Sequence, residues 1–126
     1  MKVLLVGSGG REHALAKALT QDPSLSQLHC APGNPGIAQL ATLHPLDIEN
    51  PNSVAALAIA LDVDLVVIGP ETPLVNGAAD AIRKAGIACF GPSKAAAQLE
   101  GSKDFAKSVM RDAGVPTAKF ATCENQ

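Results

Sequence analysis

Two stretches of the chain concentrate residue types capable of chemistry. The first, Gly7-Ser8-Gly9-Gly10-Arg11-Glu12-His13, leaves an apolar run and enters a helical pattern. Backbone N–H groups at a helix start attract phosphate, and glycines let the backbone come close to it. Arg11 adds a guanidinium that can grip phosphate oxygens. The spacing is not G-x-G-x-x-G, because position 12 is Glu. For this loop alone, a tight strand-to-helix turn without ligand is the alternative.

The second stretch is Gly69-Pro70-Glu71-Thr72-Pro73. Flanking prolines restrict the backbone around Glu71. Its carboxylate could accept hydrogen bonds from ribose hydroxyls or an amine. The alternative is an acid favoured by the positive end of the following helix. Asn34, within Pro32-Gly33-Asn34-Pro35-Gly36, could hydrogen-bond a sugar, although its type and setting fit a turn residue better. Glu12 has a local explanation: with Gly9 as N-cap it stands at N3 and can bond back to the cap amide. His13 reads as a helix-surface residue, and His29 and His44 as structural.

Other chemistries find no support. No Ser/His/Asp order, paired carboxylates or metal-ligand spacing stands out, so neither a catalytic group nor a metal site is expected. Dinucleotide binding needs an acid near the end of strand two, roughly 20 residues past the glycine loop. Here that segment is Leu28-His29-Cys30-Ala31-Pro32-Gly33-Asn34, with no acid, so NAD is disfavoured. A receiver domain needs acids at the end of strand one, and Val6-Gly7-Ser8 has none.

To bring the two loops together, the chain must alternate short strands with helices. Val3–Val6, Leu25–Ala31, a weak Ala41–Leu46, Val63–Ile68 and Ile87–Phe90 read as strands. Arg11–Leu19 is a helix with Ala14, Leu15, Ala18 and Leu19 on one face. Asn50-Pro51 starts another as N-cap and first residue, followed by Val54, Leu57, Ala58 and Leu61. Thr72-Pro73 repeats that start, with Leu74, Ala78, Ile82 and Ala85 on its apolar face and Gly86 closing it. Ser93–Glu100 is a short helix. Gly101-Ser102 caps a further helix whose buried face is Phe105, Val109, Met110 and Ala113. Gly114-Val115-Pro116 ends it, and Thr117–Ala121 reads as a strand without a partner. The fold class is α/β: an open parallel sheet with helices on both faces, three layers, in the order 3-2-1-4-5. That order switches between strand one and Val63–Ile68, and ligands bind at strand carboxyl ends beside such a switch. Both loops fall there.

The composition narrows the function classes. The 126 residues suit one domain, and 47% hydrophobic with 17% charged excludes a disordered chain. Trp and Tyr are absent, Phe is only 3 and the net charge is −2, so neither a base-stacking platform nor a basic nucleic-acid footprint exists. No apolar run approaches the roughly 18 residues a membrane span needs. Cys30, Cys89 and Cys123 are odd in number and widely spaced, which points to a reduced, cytoplasmic setting. Cys30 and Cys89 read as inert core thiols.

Five motifs in register carry a resemblance: Val6-Gly7-Ser8-Gly9-Gly10-Arg11-Glu12-His13, Ala31-Pro32-Gly33-Asn34, Gly69-Pro70-Glu71-Thr72-Pro73-Leu74-Val75, Phe90-Gly91-Pro92-Ser93 and Leu99-Glu100-Gly101-Ser102-Lys103. Together they resemble the N-terminal domain of glycinamide ribonucleotide synthetase (phosphoribosylamine–glycine ligase). Ser8 departs from the Asn that many members carry. The resemblance implies a Rossmann-like pre-ATP-grasp domain over residues 1–100 and the truncated start of an ATP-grasp domain over 101–126. It implies a purine-biosynthesis enzyme that joins glycine to 5-phosphoribosylamine with ATP and magnesium, through a glycyl phosphate. By the same resemblance Gly9, Gly10 and Arg11 meet the phosphoribosylamine with Glu12 close by. Asn34 and Pro70 line the same site, Glu71 faces the ribose or amine, and Lys103 is a candidate ATP contact. The lobes that clamp ATP, magnesium and glycine would be intramolecular partners outside this sequence. The isolated chain is then expected to bind a sugar phosphate, without a cofactor of its own and without ligating. The alternatives are a nucleotide- or dinucleotide-binding regulatory module, and a ligand-free interaction domain prone to self-association.

Overall fold

The computed structural model describes residues 1–121. Its central strand, β1 (Lys2–Gly7), is an unbroken apolar run in which Val3, Leu4, Leu5 and Val6 are at most 1% exposed. Burial on both faces is what such a run demands, and it is met by parallel neighbours and helices on either side. β2 (Gln27–Pro32) and β4 (Leu65–Ile68) flank β1, with β3 (Thr42–Leu43) and β5 (Ala88–Phe90) at the edges. All pairings are parallel and the order is β3-β2-β1-β4-β5, as the sequence predicts.

On one face Leu4, Val6, Val66 and Ile68 pack against α2 (Pro51–Ala60), α3 (Glu71–Asn76) and α4 (Ala78–Lys84) through Val54, Ala58, Leu74, Ala79 and Ile82. On the other, Val3, Leu5, Cys30 and Val67 pack against Ala16 of α1 (Gly10–Leu19) and against Ile37. This is the expected three-layer α/β sandwich. α2 begins as predicted: Pro51 is its first residue, and Asn50 Oδ1 accepts from the N–H groups of Asn52 (3.0 Å) and Ser53 (3.3 Å).

Several boundaries differ from the sequence reading, each for a local reason. Val63 stays outside β4 because its N–H closes α2 on Ala58 O at 3.3 Å. Leu25 stays outside β2 because its N–H turns back to Asp22 O. β3 shrinks to two residues: His44 N–H makes the last rung to Cys30 O (2.9 Å), and Pro45 has no N–H to continue. The expected long helix from Thr72 to Ala85 starts instead at Glu71 with Pro70 as N-cap. It breaks at Gly77, whose φ of 102° lies in the left-handed region. Gly86 closes α4 at φ 82°, as predicted.

The last part of the chain corrects two expectations. α5 (Lys94–Gly101) packs on α3, where Gly101 leaves room for Val75, and α6 (Lys103–Asp112) follows it. α6 has no buried residue: Phe105 is 44% and Val109 38% exposed, and Met110 and Ala113 are not buried either. It contacts α5 and leaves its apolar residues partly exposed. Thr117–Ala121 forms no strand, since no sheet edge stands beside it. Cys123 lies outside the described residues. No described helix is long and apolar enough to cross a membrane.

At the β2–β3 edge, His29 Nδ1 and His44 Nε2 lie 3.0 Å apart, a pairing the sequence does not reveal. Burial first, then the neighbouring His44, then Lys2, hold His29 below its ordinary value of 6.5. A histidine lowered in the folded state takes up its proton more readily when unfolded. Its contribution therefore destabilises the fold as pH falls through about 6.5 and vanishes above it. Thermal melts between pH 5 and 8 should show Tm falling on the acid side, and His29→Gln should flatten that slope.

Candidate functional site

The switch in strand order places Gly7 and Gly69 side by side at the carboxyl ends of β1 and β4, where Val6 pairs with Ile68. Gly69 N–H donates to Val6 O at 3.1 Å, and on the other flank Gly33 N–H donates to Gly7 O at 3.0 Å. Three loops therefore meet above the middle of the sheet: residues 7–10, 32–36 and 69–71.

Glu12 joins two of them. It stands at N3 of α1 and accepts the Gly9 N–H through Oε2 at 2.7 Å, the capping arrangement its spacing predicts. The residue is only 3% exposed. Glycines line its berth. A Cβ on Gly7 would come to 2.6 Å from Glu12 Cγ, and one on Gly9 to 2.9 Å from Oε2. A Cβ on Gly69 would collide with Oε1. Gly7 also needs its φ of 131°, open only to glycine at low cost.

Arg11 reaches across the rim. Its Nε is 3.5 Å from Glu12 Oε1, and a terminal nitrogen is 3.8 Å from Glu71 Oε2. Its side chain is 60% exposed and that of Glu71 49%, so the Arg11–Glu71 pair is a surface ion pair of roughly 0–1 kcal/mol that a competing anion can displace. The first-turn amides of Gly10 and Arg11 have no partner within the helix by geometry. An open shelf results, with a guanidinium and helix-start amides on one side and the Glu71 carboxylate on the other.

The structure brings Gly9, Gly10, Arg11, Glu12, Asn34, Pro70 and Glu71 to these three loops. Asn34 uses both ends of its amide inside the frame: Nδ2 donates to Ser8 O and Oδ1 accepts from Ile37 N–H, each at 2.9 Å. Lys103 stands apart, exposed as the first residue of α6. Sequence reasoning missed that His13 packs on Gly36, where a Cβ would reach 2.5 Å from its Cε1. It also missed Gly7 and Gly69 as the walls around Glu12, although a glycine ending each of two adjacent strands is a signal for such a close approach.

Thiol chemistry is suppressed. Burial pushes the Cys30 thiol up to about 11, and its Sγ donates to Gly7 O at 3.5 Å. Burial also raises Cys89, against the opposing charge of Arg83. Among the described residues no group of three or more His, Cys, Asp or Glu could hold a metal ion. A cavity of about 600 Å³ lies away from the three loops, between Met110 and Phe120.

The fold and these loops define a doubly wound α/β domain whose three loops meet at the strand-order switch. Residues 1–100 match the family described as "Phosphoribosylglycinamide synthetase, N domain", and the chain belongs to that family. It is 59% identical over 125 residues to the phosphoribosylamine–glycine ligase of Streptomyces coelicolor, covering 99% of this chain and 30% of that one. It is also 59% identical over 120 residues to the ligase of Agrobacterium fabrum, covering 95% of this chain and 28% of the relative. The chain thus spans under a third of the length of these curated relatives. Among solved structures, the Thermotoga maritima phosphoribosylamine–glycine ligase superposes over 94% of this chain and 26% of its own, with TM-score 0.67 and 30% identity. The fold is shared with phosphoribosylglycinamide synthetase of Anaerococcus prevotii at TM-score 0.74 and 22% identity, over 99% of this chain and 32% of that one.

Overpacking the glycine berth tests the site's construction. Gly69→Ala is expected to cost about 1–3 kcal/mol in denaturant unfolding, the usual range for an added methyl that meets a fixed neighbour. Glu12→Ala in the same chain should recover part of that loss. Additive losses would mean that the two residues do not share the space.

Proposed function

We propose that this chain is the sugar-phosphate-holding part of a ligase that joins glycine to 5-phosphoribosylamine with ATP in purine biosynthesis. The observation that carries the reading is Arg11, a displaceable guanidinium at the start of α1, facing Glu71 across the strand-order switch. In this reading the phosphate of the substrate lies over Gly9, meets the Gly10 and Arg11 amides and takes Arg11 from Glu71. Release of that ion pair frees the Glu71 carboxylate to accept from a ribose hydroxyl or the amine. Asn34 and Pro70 shape the loops on either side. Glu12 stays beneath the shelf.

Glycyl phosphate formation belongs to the rest of the family enzyme. Lys103, exposed at the start of α6, is the residue of this chain we place nearest the nucleotide, and among the described residues no group of three or more His, Cys, Asp or Glu could hold magnesium. No step is therefore assigned to ATP or magnesium on this chain, which binds without ligating. Holding both reactants in place is what such a transfer needs, and one substrate alone cannot react. The exposed Phe90, Phe105 and Val109 offer apolar surface on which further lobes of the ligase would rest. The setting we assign is the cytoplasm, consistent with unpaired thiols at Cys30 and Cys89.

Ribose 5-phosphate at ten times its dissociation constant should stabilise the chain by about 1.4 kcal/mol, a rise of a few degrees in Tm. Arg11→Ala should remove that rise, measured against its own ligand-free Tm. NAD at the same concentration should do nothing. A rise with NAD and none with ribose 5-phosphate would favour a dinucleotide-binding module instead.

A further inference from the structure

Glu12 is the one buried charged side chain among the described residues, and its Oε1 accepts no hydrogen bond. Such an oxygen is costly unless a cation compensates it. The cation beside it is the guanidinium of the preceding residue, with Arg11 Nε at 3.5 Å. Consecutive helical residues point about 100° apart and do not normally face each other. Here the guanidinium folds back toward the carboxylate by its Nε edge. Its terminal nitrogen then points toward Glu71 at 3.8 Å. One edge of a five-donor fork is held from below, and the remaining donors are left at the rim.

Building on the reading of the loops as a sugar-phosphate shelf, we propose that Glu12 is a positioning residue for that ligand and not a contact to it. Its buried Oε1 orients Arg11 so that the free N–H donors face a phosphate monoester at the start of α1. The three glycines that wall Glu12 in keep it from the ligand and keep its carboxylate from turning away. Its negative charge reaches the phosphate across Arg11, and the carboxylate at the rim is that of Glu71. Gly7, Gly9 and Gly69 are then part of the recognition apparatus, although none of their side positions touches a ligand.

The test has two arms. In the ligand-free chain, the Arg11 Nε–H resonance should stand apart in ¹⁵N-edited spectra from that of Arg83, whose contacts run through its terminal nitrogens. Glu12→Gln, which keeps the shape and an acceptor for Gly9, should move it toward that of Arg83. In calorimetric titrations with ribose 5-phosphate and with inorganic phosphate, Glu12→Gln should weaken binding about tenfold, the scale of one misdirected charge-assisted hydrogen bond. The same change made on top of Arg11→Ala should cost nothing more, which a general loss of stability would not produce. An Arg11 resonance indifferent to Glu12→Gln, or equal losses with and without Arg11, would overturn the proposal. If wild type binds neither probe at millimolar concentration, the sugar-phosphate reading of the isolated chain falls, and the resonance decides the positioning role by itself. Should Glu12→Gln not fold, Gly69→Ala displaces the same carboxylate from the opposite side without changing its charge.

Discussion

The crest of this fold depends on one buried carboxylate. Glu12 accepts from Gly9, presses against the glycines that end β1 and β4, and sits beneath Arg11. Each contact restricts the sequence around it. Gly7, Gly9 and Gly69 leave no room for a side chain while Glu12 is in place. Without Glu12, the β1–α1 and β4–α3 loops would be joined by the Gly69–Val6 backbone hydrogen bond and the exposed Arg11–Glu71 pair. The third loop is fastened separately, through Asn34 to Ser8 and Gly33 to Gly7. A frame clamped from two sides can present an arginine at its rim without relying on the loops' own stiffness.

The energetic logic is that of a site and not of a core. A hydrophobic side chain in the berth of Glu12 would avoid a desolvation cost of several kcal/mol. It would also leave the Gly9 amide without its cap and Arg11 without its anchor. On the proposed role of Glu12, local stability is given up to fix the direction of a charge, as binding sites commonly require. The Arg11–Glu71 pair adds little stability because it is exposed, and for that reason it can be exchanged for a ligand.

Much of this was legible from residue types. β1, the strand order, the Asn50-Pro51 start of α2 and the bond from Glu12 back to Gly9 all follow from patterns confined to a few neighbouring residues. What escaped were effects of distant partners. The break at Gly77 hides inside an otherwise regular apolar repeat. The end of β3 depends on which strand it borders, and the His29–His44 contact on register between two strands. The apolar repeat of α6 correctly marks an amphipathic helix, yet periodicity cannot say whether another layer is present to cover it. The walls around Glu12 are contributed by Gly69, 57 positions away along the chain, beyond the reach of any local rule.

The central claim is that the three-loop crest, centred on Arg11, receives a sugar phosphate. Amide chemical-shift mapping during a titration with ribose 5-phosphate tests it most directly. The largest and saturable shifts should fall on Gly9, Gly10, Arg11 and the Gly69–Glu71 segment, with α6 unmoved. Shifts concentrated on α6 and the Met110–Phe120 cavity, with the glycine loop silent, would contradict it.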